Sequence, residues 1–247
     1  MRGKRGGEGI FGGCTGRTKR WVGGMLPLWD TQPHRRAPIL TALLIAACLG
    51  IFGYEVSLMI ADEKDFAAWM TRHALVPGRL LEGWADAAQW QTVLTSMFLH
   101  GGVAHVLGNC WFLWVFGNNV EDRLGFFGFA VLYGFTGAAA ALVQMAVDPG
   151  SKVPMVGASG AISGVLGAYL VFFPRAWVVS LVPWIVPVLP VPAVVFLLMW
   201  FFVQTYAGVG SLLAGAAGAG GVAWWAHAGG FLAGVVLAWN WPRSGRR

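Results

Sequence analysis

A serine and a histidine far apart in the chain carry its strongest chemical signal. Ser159 stands in Gly157-Ala158-Ser159-Gly160, and His227 in Ala226-His227-Ala228-Gly229-Gly230. A hydroxyl becomes an effective nucleophile when a neighbouring imidazole takes its proton. An imidazole with an unperturbed pKa of about 6.5 can do so at neutral pH. Each residue alone also has a plainer reading: Gly and Ser in apolar helices are usually packing residues, and a lone His can be satisfied by a carbonyl. The glycines favour the pair. Gly160, Gly164 and Gly167 recur at helical spacing, and Gly230 and Gly234 do the same near His227, so two thinned faces can approach closely. Ser159 would also open its helix, where unpaired N–H groups and the helix dipole stabilise negative charge.

A third cluster is His100, His105 and Asn109. His105 and Asn109 are four apart and share a helix face, whereas His100 belongs at the approach to that helix. Zinc chemistry of the H-E-x-x-H kind needs an acid between the histidines. Here Gly101, Gly102, Val103 and Ala104 intervene, so no metal is expected. Side-chain N–H groups of His105 and Asn109, with the Ser159 backbone N–H, could instead hold an oxyanion. No Asp or Glu falls in the apolar segments around Ser159 and His227, so a hydrolase built from them would use a dyad without a carboxylate.

These residues need an apolar frame. Hydrophobic residues form 57% of the 247-residue chain and charged ones 11%, against about a quarter charged in soluble domains. Mean hydropathy is +0.63. An all-α membrane protein follows, and six spans fit at about 38–60, 100–118, 125–147, 158–173, 192–208 and 221–240. Glu55 is placed peripherally in the first span. Residues 61–91 are too charged to cross, 121–123 read as a short loop, and 207–221 as a Gly/Ala-rich loop. Prolines 183, 187, 190 and 192 break the beginning of the uncharged stretch 176–242, so 176–191 reads as an interfacial segment.

Residues 1–36 read as a flexible basic tail, 37–242 as the membrane domain and 243–247 as a second short basic tail. Eight of the 17 Lys and Arg lie in 1–36 and three in the last five positions. With both termini cytoplasmic, the basic residues obey the positive-inside bias. The net charge of +6 is explained by that distribution, so no nucleic-acid partner is expected. Three scattered cysteines, Cys14, Cys48 and Cys110, form neither a disulfide framework nor a metal motif.

Four segments in order, LHGGVAHVLGN, FGNNVEDRLG, GASGAISGVLGAY and AHAGGFLAG, resemble the successive signatures of bacterial rhomboid intramembrane serine proteases. The resemblance covers about residues 37–242. It implies a compact six-helix bundle in a lipid bilayer, peptide hydrolysis without a cofactor, and single-span transmembrane proteins as substrates, cut near the outer membrane boundary. It further implies Ser159 as nucleophile and His227 as base, with His105 and Asn109 at the oxyanion and His100, Gly157 and Gly160 in support. Glu121 and Arg123 would tie helices at the cytoplasmic side, and a bacterial plasma membrane is the implied location. Gln91 follows Trp90 where many members have Arg, and Ser163 stands where some have a Tyr packed on the histidine. Trp224 or Trp225 is the expected substitute. A wet cavity between spans 2, 4 and 6, capped by 207–221, would admit the water for hydrolysis.

Overall fold

The computed structural model describes residues 25–182, 186–213 and 222–242. Helix α1 (Ile39–Ala61) is apolar apart from Glu55 and a few hydroxyl residues, and its buried residues Thr41, Leu44, Cys48 and Glu55 form one stripe facing the bundle. The charged stretch after it folds into three short helices: α2 (Glu63–His73), α3 (Pro77–Glu82) and α4 (Ala87–Thr95). Asp62 and Asp86 cap α2 and α4 by accepting from Lys64 N at 2.7 Å and Ala88 N at 2.9 Å. A single 3₁₀ turn (Ser96–Phe98) follows.

Helix α5 (Val103–Phe112) continues through a π turn (Leu113–Gly117) into α6 (Asn118–Val147). Gly125 breaks α6 with a φ of +74°, a left-handed conformation that suits glycine. Glu121, Asp122 and Arg123 therefore belong to the helix before this break, not to a loop. Glu121 is buried and caps α1 from outside: Oε1 accepts from Leu40 N at 2.8 Å, and Oε2 from Thr41 N and Oγ1 at 2.8 Å each. Pro38, the cap residue of α1, has no side-chain hydrogen bond to offer. Asp122 accepts from the backbone of Arg35 and Arg36, and the Arg123 guanidinium lies 5.6 Å from the Phe172 ring centre.

Helices α7 (Ser159–Phe172), α8 (Ala193–Leu213) and α9 (Trp224–Asn240) complete the bundle. Three described stretches are long and apolar enough to cross a membrane: Ile39–Ala61, Val103–Val147 and Ala193–Leu213. Helix α7 has only 14 residues, about 21 Å of rise, and it lies at the centre, with nine of them buried. Its glycines make that position possible. A Cβ on Gly164 would strike Thr136 of α6, and one on Gly167 the Phe231 backbone of α9. From the other side, Cβ atoms on Gly230 and Gly234 would strike the Gly160 and Gly164 carbonyls. Small residues thus let three backbones meet where larger ones would hold them apart.

Two expectations about the loops change. Residues 207–213 extend α8, and the rest of the expected 207–221 loop lies outside the described residues. The segment 176–191 is not merely interfacial: β2 (Trp177–Val182) and β3 (Val186–Pro192) pair antiparallel, and β1 (Leu26–Asp30) joins β2 on its other side. Part of the expected tail is therefore strand, and the helical bundle carries a small sheet. Of the prolines that exclude a helix, Pro187, Pro190 and Pro192 sit in β3, an edge strand, where missing N–H donors are tolerated, and Pro183 lies outside the described residues. Asp30 anchors β1 by accepting from Asn119 Nδ2 at 2.8 Å and from the Tyr169 hydroxyl. Burial raises its carboxyl above the ordinary range, partly offset by these hydrogen bonds. The remaining tail residues, 1–24 and 243–247, lie outside the described ones.

Candidate active site

The close contact of α7 with α9 brings the serine and histidine together. Ser159 Oγ lies 2.8 Å from His227 Nε2, although 68 residues separate them in the chain. Ser159 is the first residue of α7, whose N-terminus has no side-chain cap, so its leading N–H groups lack intrahelical acceptors. Both residues are half-buried. Gly160 sits immediately below, where a Cβ would come within 2.7 Å of the Ala140 Cβ. Ser163, one turn on, donates its hydroxyl back to the Ser159 carbonyl at 2.6 Å.

The imidazole of His227 is held at both nitrogens. Nδ1 lies 2.7 Å from Gln204 Oε1, on α8. Two indoles flank the ring: Trp200 with centroids 6.0 Å apart, and Trp224 nearly perpendicular at 6.2 Å. Trp225 turns instead toward α8 and packs at Gly208. Gln144 of α6 accepts from Ala226 N at 3.2 Å and so fixes the first turn of α9 beside His227.

On the other side of Ser159, the turn before α7 meets α5. Gly157 has φ +118°, and a Cβ there would lie 2.7 Å from His105 Nε2 and 3.4 Å from Asn109 Nδ2. Glycine is required twice over, by backbone and by space. Gly157 N donates to Ser96 O at 2.8 Å, which holds this turn in place. His105 Nδ1 accepts from Gly101 N at 3.4 Å; in the neutral ring this leaves the proton on Nε2, facing Gly157. Asn109 is buried, and its Nδ2 has no hydrogen-bond partner among the described residues. A buried amide donor without a partner is costly. Two side-chain donors thus converge on the N-terminus of α7, an arrangement suited to a transient anion.

His100 stands one layer back. Its ring packs edge-on against His105 with centroids 5.2 Å apart, and its Nδ1 donates to Phe98 O at 3.0 Å. Glu55 is buried rather than peripheral, and accepts from His100 N at 3.3 Å. Sequence reasoning singles out neither Gln204 nor Gln144, and it gives Glu55 only as a peripheral charge. One signal for them existed: polar side chains within apolar helices are expensive and need a reason. Two surface hollows lie against α2, α3 and α4, one bordered by Thr71, Arg79 and Gln89 and the other by Gly78, Glu82 and Lys152. Neither reaches Ser159. The expected cavity over the pair includes cap residues outside those described.

Comparison with known proteins bears on what this arrangement does. Residues 87–243 match the family model of the Rhomboid domain. The chain is 36% identical over 152 residues to Rhomboid-like protein 11, chloroplastic, of Arabidopsis thaliana, covering 61% of this chain and 52% of that protein. It is 41% identical over 85 residues to Rhomboid protease GluP of Bacillus subtilis (strain 168), covering 33% of this chain and 16% of that protein. RHOMBOID-like protein 5 of Arabidopsis thaliana is 35% identical over 92 residues, 37% of this chain and 28% of that protein. The chain thus spans about half the length of the first of these relatives and less of the other two.

Proposed function

The chain belongs to the rhomboid family, and from that premise we propose that it is an intramembrane serine endopeptidase acting through a Ser159–His227 dyad. The observation that carries this reading is the 2.8 Å contact between Ser159 Oγ and His227 Nε2, beside a buried and unpartnered Asn109 amide. A relative named as a rhomboid protease supports the hydrolytic class.

In the proposed reaction, Ser159 Oγ attacks the scissile carbonyl carbon while His227 Nε2 takes the hydroxyl proton. The carbonyl π electrons move to oxygen, which becomes the oxyanion. His105 Nε2–H, Asn109 Nδ2–H and the Ser159 backbone N–H donate to it. Collapse breaks the C–N bond, and His227 returns its proton to the leaving amine. Water then attacks the acyl-serine with His227 again as base, releasing the acid and restoring Ser159 Oγ–H. Every proton is accounted for by the imidazole and water, so the scheme uses no cofactor. Three described stretches long and apolar enough to cross a membrane support a bilayer setting. Single-span transmembrane proteins, cut near the outer boundary, are the proposed substrates. A six-span topology with both termini cytoplasmic in a bacterial plasma membrane completes the reading, supported by the distribution of Lys and Arg.

The test uses purified protein in lipid, a panel of single-span substrates, and a serine-directed fluorophosphonate. Wild type should cleave and label, while Ser159→Ala should do neither. His227→Ala should lose about 100- to 10,000-fold, the usual contribution of a positioned general acid–base group. Equal cleavage by all three proteins would refute the dyad. Absence of both cleavage and labelling in wild type would favour a client-binding role without hydrolysis.

A further inference from the structure

The base of the proposed dyad is gripped from α8, a helix that bears neither member of the dyad nor a proposed oxyanion donor. We propose that Gln204 is the positioning residue of His227, setting its tautomer and orientation from α8; this rests on the dyad reading above. The argument starts at the two ring nitrogens. Gln204 Oε1 lies 2.7 Å from Nδ1, and Ser159 Oγ lies 2.8 Å from Nε2. An amide oxygen only accepts, so the contact is a hydrogen bond when Nδ1 carries the proton. The neutral ring then has a bare Nε2, which is the nitrogen that must receive the serine proton. With the other tautomer, two lone pairs would face each other at Nδ1, and Nε2 would have no capacity to act as base.

The placement explains why an amide serves where a carboxylate is the familiar partner. Gln204 is 7% exposed, on an apolar helix. A buried carboxylate at this depth would cost several kcal/mol of desolvation unless paired, whereas a neutral amide needs only its hydrogen bonds. The amide supplies the geometric half of what a triad carboxylate supplies, orientation and tautomer, and less of the charge stabilisation.

Gln204 also lies on a contact stripe. Trp200 and Phe201 pack on Phe231, Gln204 on His227, and Gly208 on Trp224 and Trp225. Residues 200, 204 and 208 are four apart and share one face of α8, so docking of that face on α9 delivers the amide to the imidazole. Helix α8 buries five of its 21 residues, whereas α7 buries nine of 14. The group that sets the base is therefore borne by a peripheral helix, and the dyad is in register only while α8 is docked.

The test compares Gln204→Leu, which removes the acceptor at similar volume, with Gln204→Glu, which keeps an acceptor. Fluorophosphonate labelling in lipid reads Ser159 reactivity without a known substrate. Gln204→Leu should slow the maximal labelling rate by about 10- to 100-fold, the range expected when a buried donor loses its partner, with half-saturation unchanged. Gln204→Glu should label within about threefold of wild type. Imidazole ¹⁵N spectra, with His227 assigned by its loss in His227→Ala, should show the Nδ1–H form in wild type and a loss of that preference in Gln204→Leu. Wild-type labelling by Gln204→Leu, or an equal fall in Gln204→Glu, would overturn the role, as would an Nε2–H ring in the wild type. If wild type and Ser159→Ala label alike, the dyad reading itself has failed and this role goes with it.

Discussion

Replacing Gly230 with alanine would put one methyl group where α9 touches α7 directly beneath Ser159 and His227. A Cβ there runs into the Gly160 carbonyl oxygen and lies 3.4 Å from the Ala140 Cβ. A carbonyl in the middle of a helix cannot swing aside as the tip of a side chain can, so the two helices must part. Reaching an ordinary van der Waals separation takes a displacement on the order of 1 Å. Gly160 adjoins Ser159, and Gly230 is less than one turn from His227, so the displacement is passed on to the pair. Their 2.8 Å hydrogen bond would lengthen to about 3.8 Å, outside bonding range. Overpacking of this kind costs about 1–3 kcal/mol of stability, and a misplacement of about 1 Å at a reacting pair costs about 100-fold in rate. The assay is the fluorophosphonate labelling rate of Ser159 in lipid, beside a thermal melt of the same sample. Gly134→Ala is the control, because Gly134 is also helical but a Cβ there meets nothing within 4 Å. It should melt no lower than wild type and label at the same rate. Wild-type labelling by Gly230→Ala, or an equal loss in Gly134→Ala, would show that this contact does not set the spacing of the pair.

Two further outcomes follow from the same packing. Asn109→Ala should lower the cleavage rate by about 100- to 1,000-fold with little change in half-saturation, as expected for a donor used only in the transition state; an unchanged rate would remove Asn109 from the oxyanion site. Glu121→Ala should destabilise the fold by about 2–4 kcal/mol in denaturant or thermal unfolding, because three hydrogen bonds at the start of α1 lose a charged acceptor, while protein that remains folded labels normally.

How much of this was legible beforehand depended on whether the signal was local. His105 and Asn109 could be assigned to one face because four-residue spacing is a property of the helix itself. The hydrophobic runs likewise located α1, α7 and α9 to within a few residues. Helix α8, however, runs on past its expected end, the chain continues through Leu113–Gly117 and breaks at Gly125, and α2, α3 and α4 lie in the charged stretch that no such run marks. The sheet was not visible. Prolines 187, 190 and 192 exclude helix but fit a loop and an edge strand equally, and pairing Leu26 with Leu181 joins segments that carry no mark of one another. Glu55 read as peripheral because it is near the end of its helix; rotation of α1 turned it inward to His100.

The sequence by itself determined the apolar, helical class, the small-residue faces that can meet, and the identity of a serine and a histidine able to do chemistry. These follow from composition and periodicity, which need no knowledge of neighbours. Only the tertiary structure decided that Ser159 and His227 are 2.8 Å apart and that a glutamine on a third helix faces the far side of the imidazole. A polar side chain in an apolar helix announces that it needs a partner. Which partner it receives depends on how its helix is rotated and how closely it packs, and both are set by all the helices together.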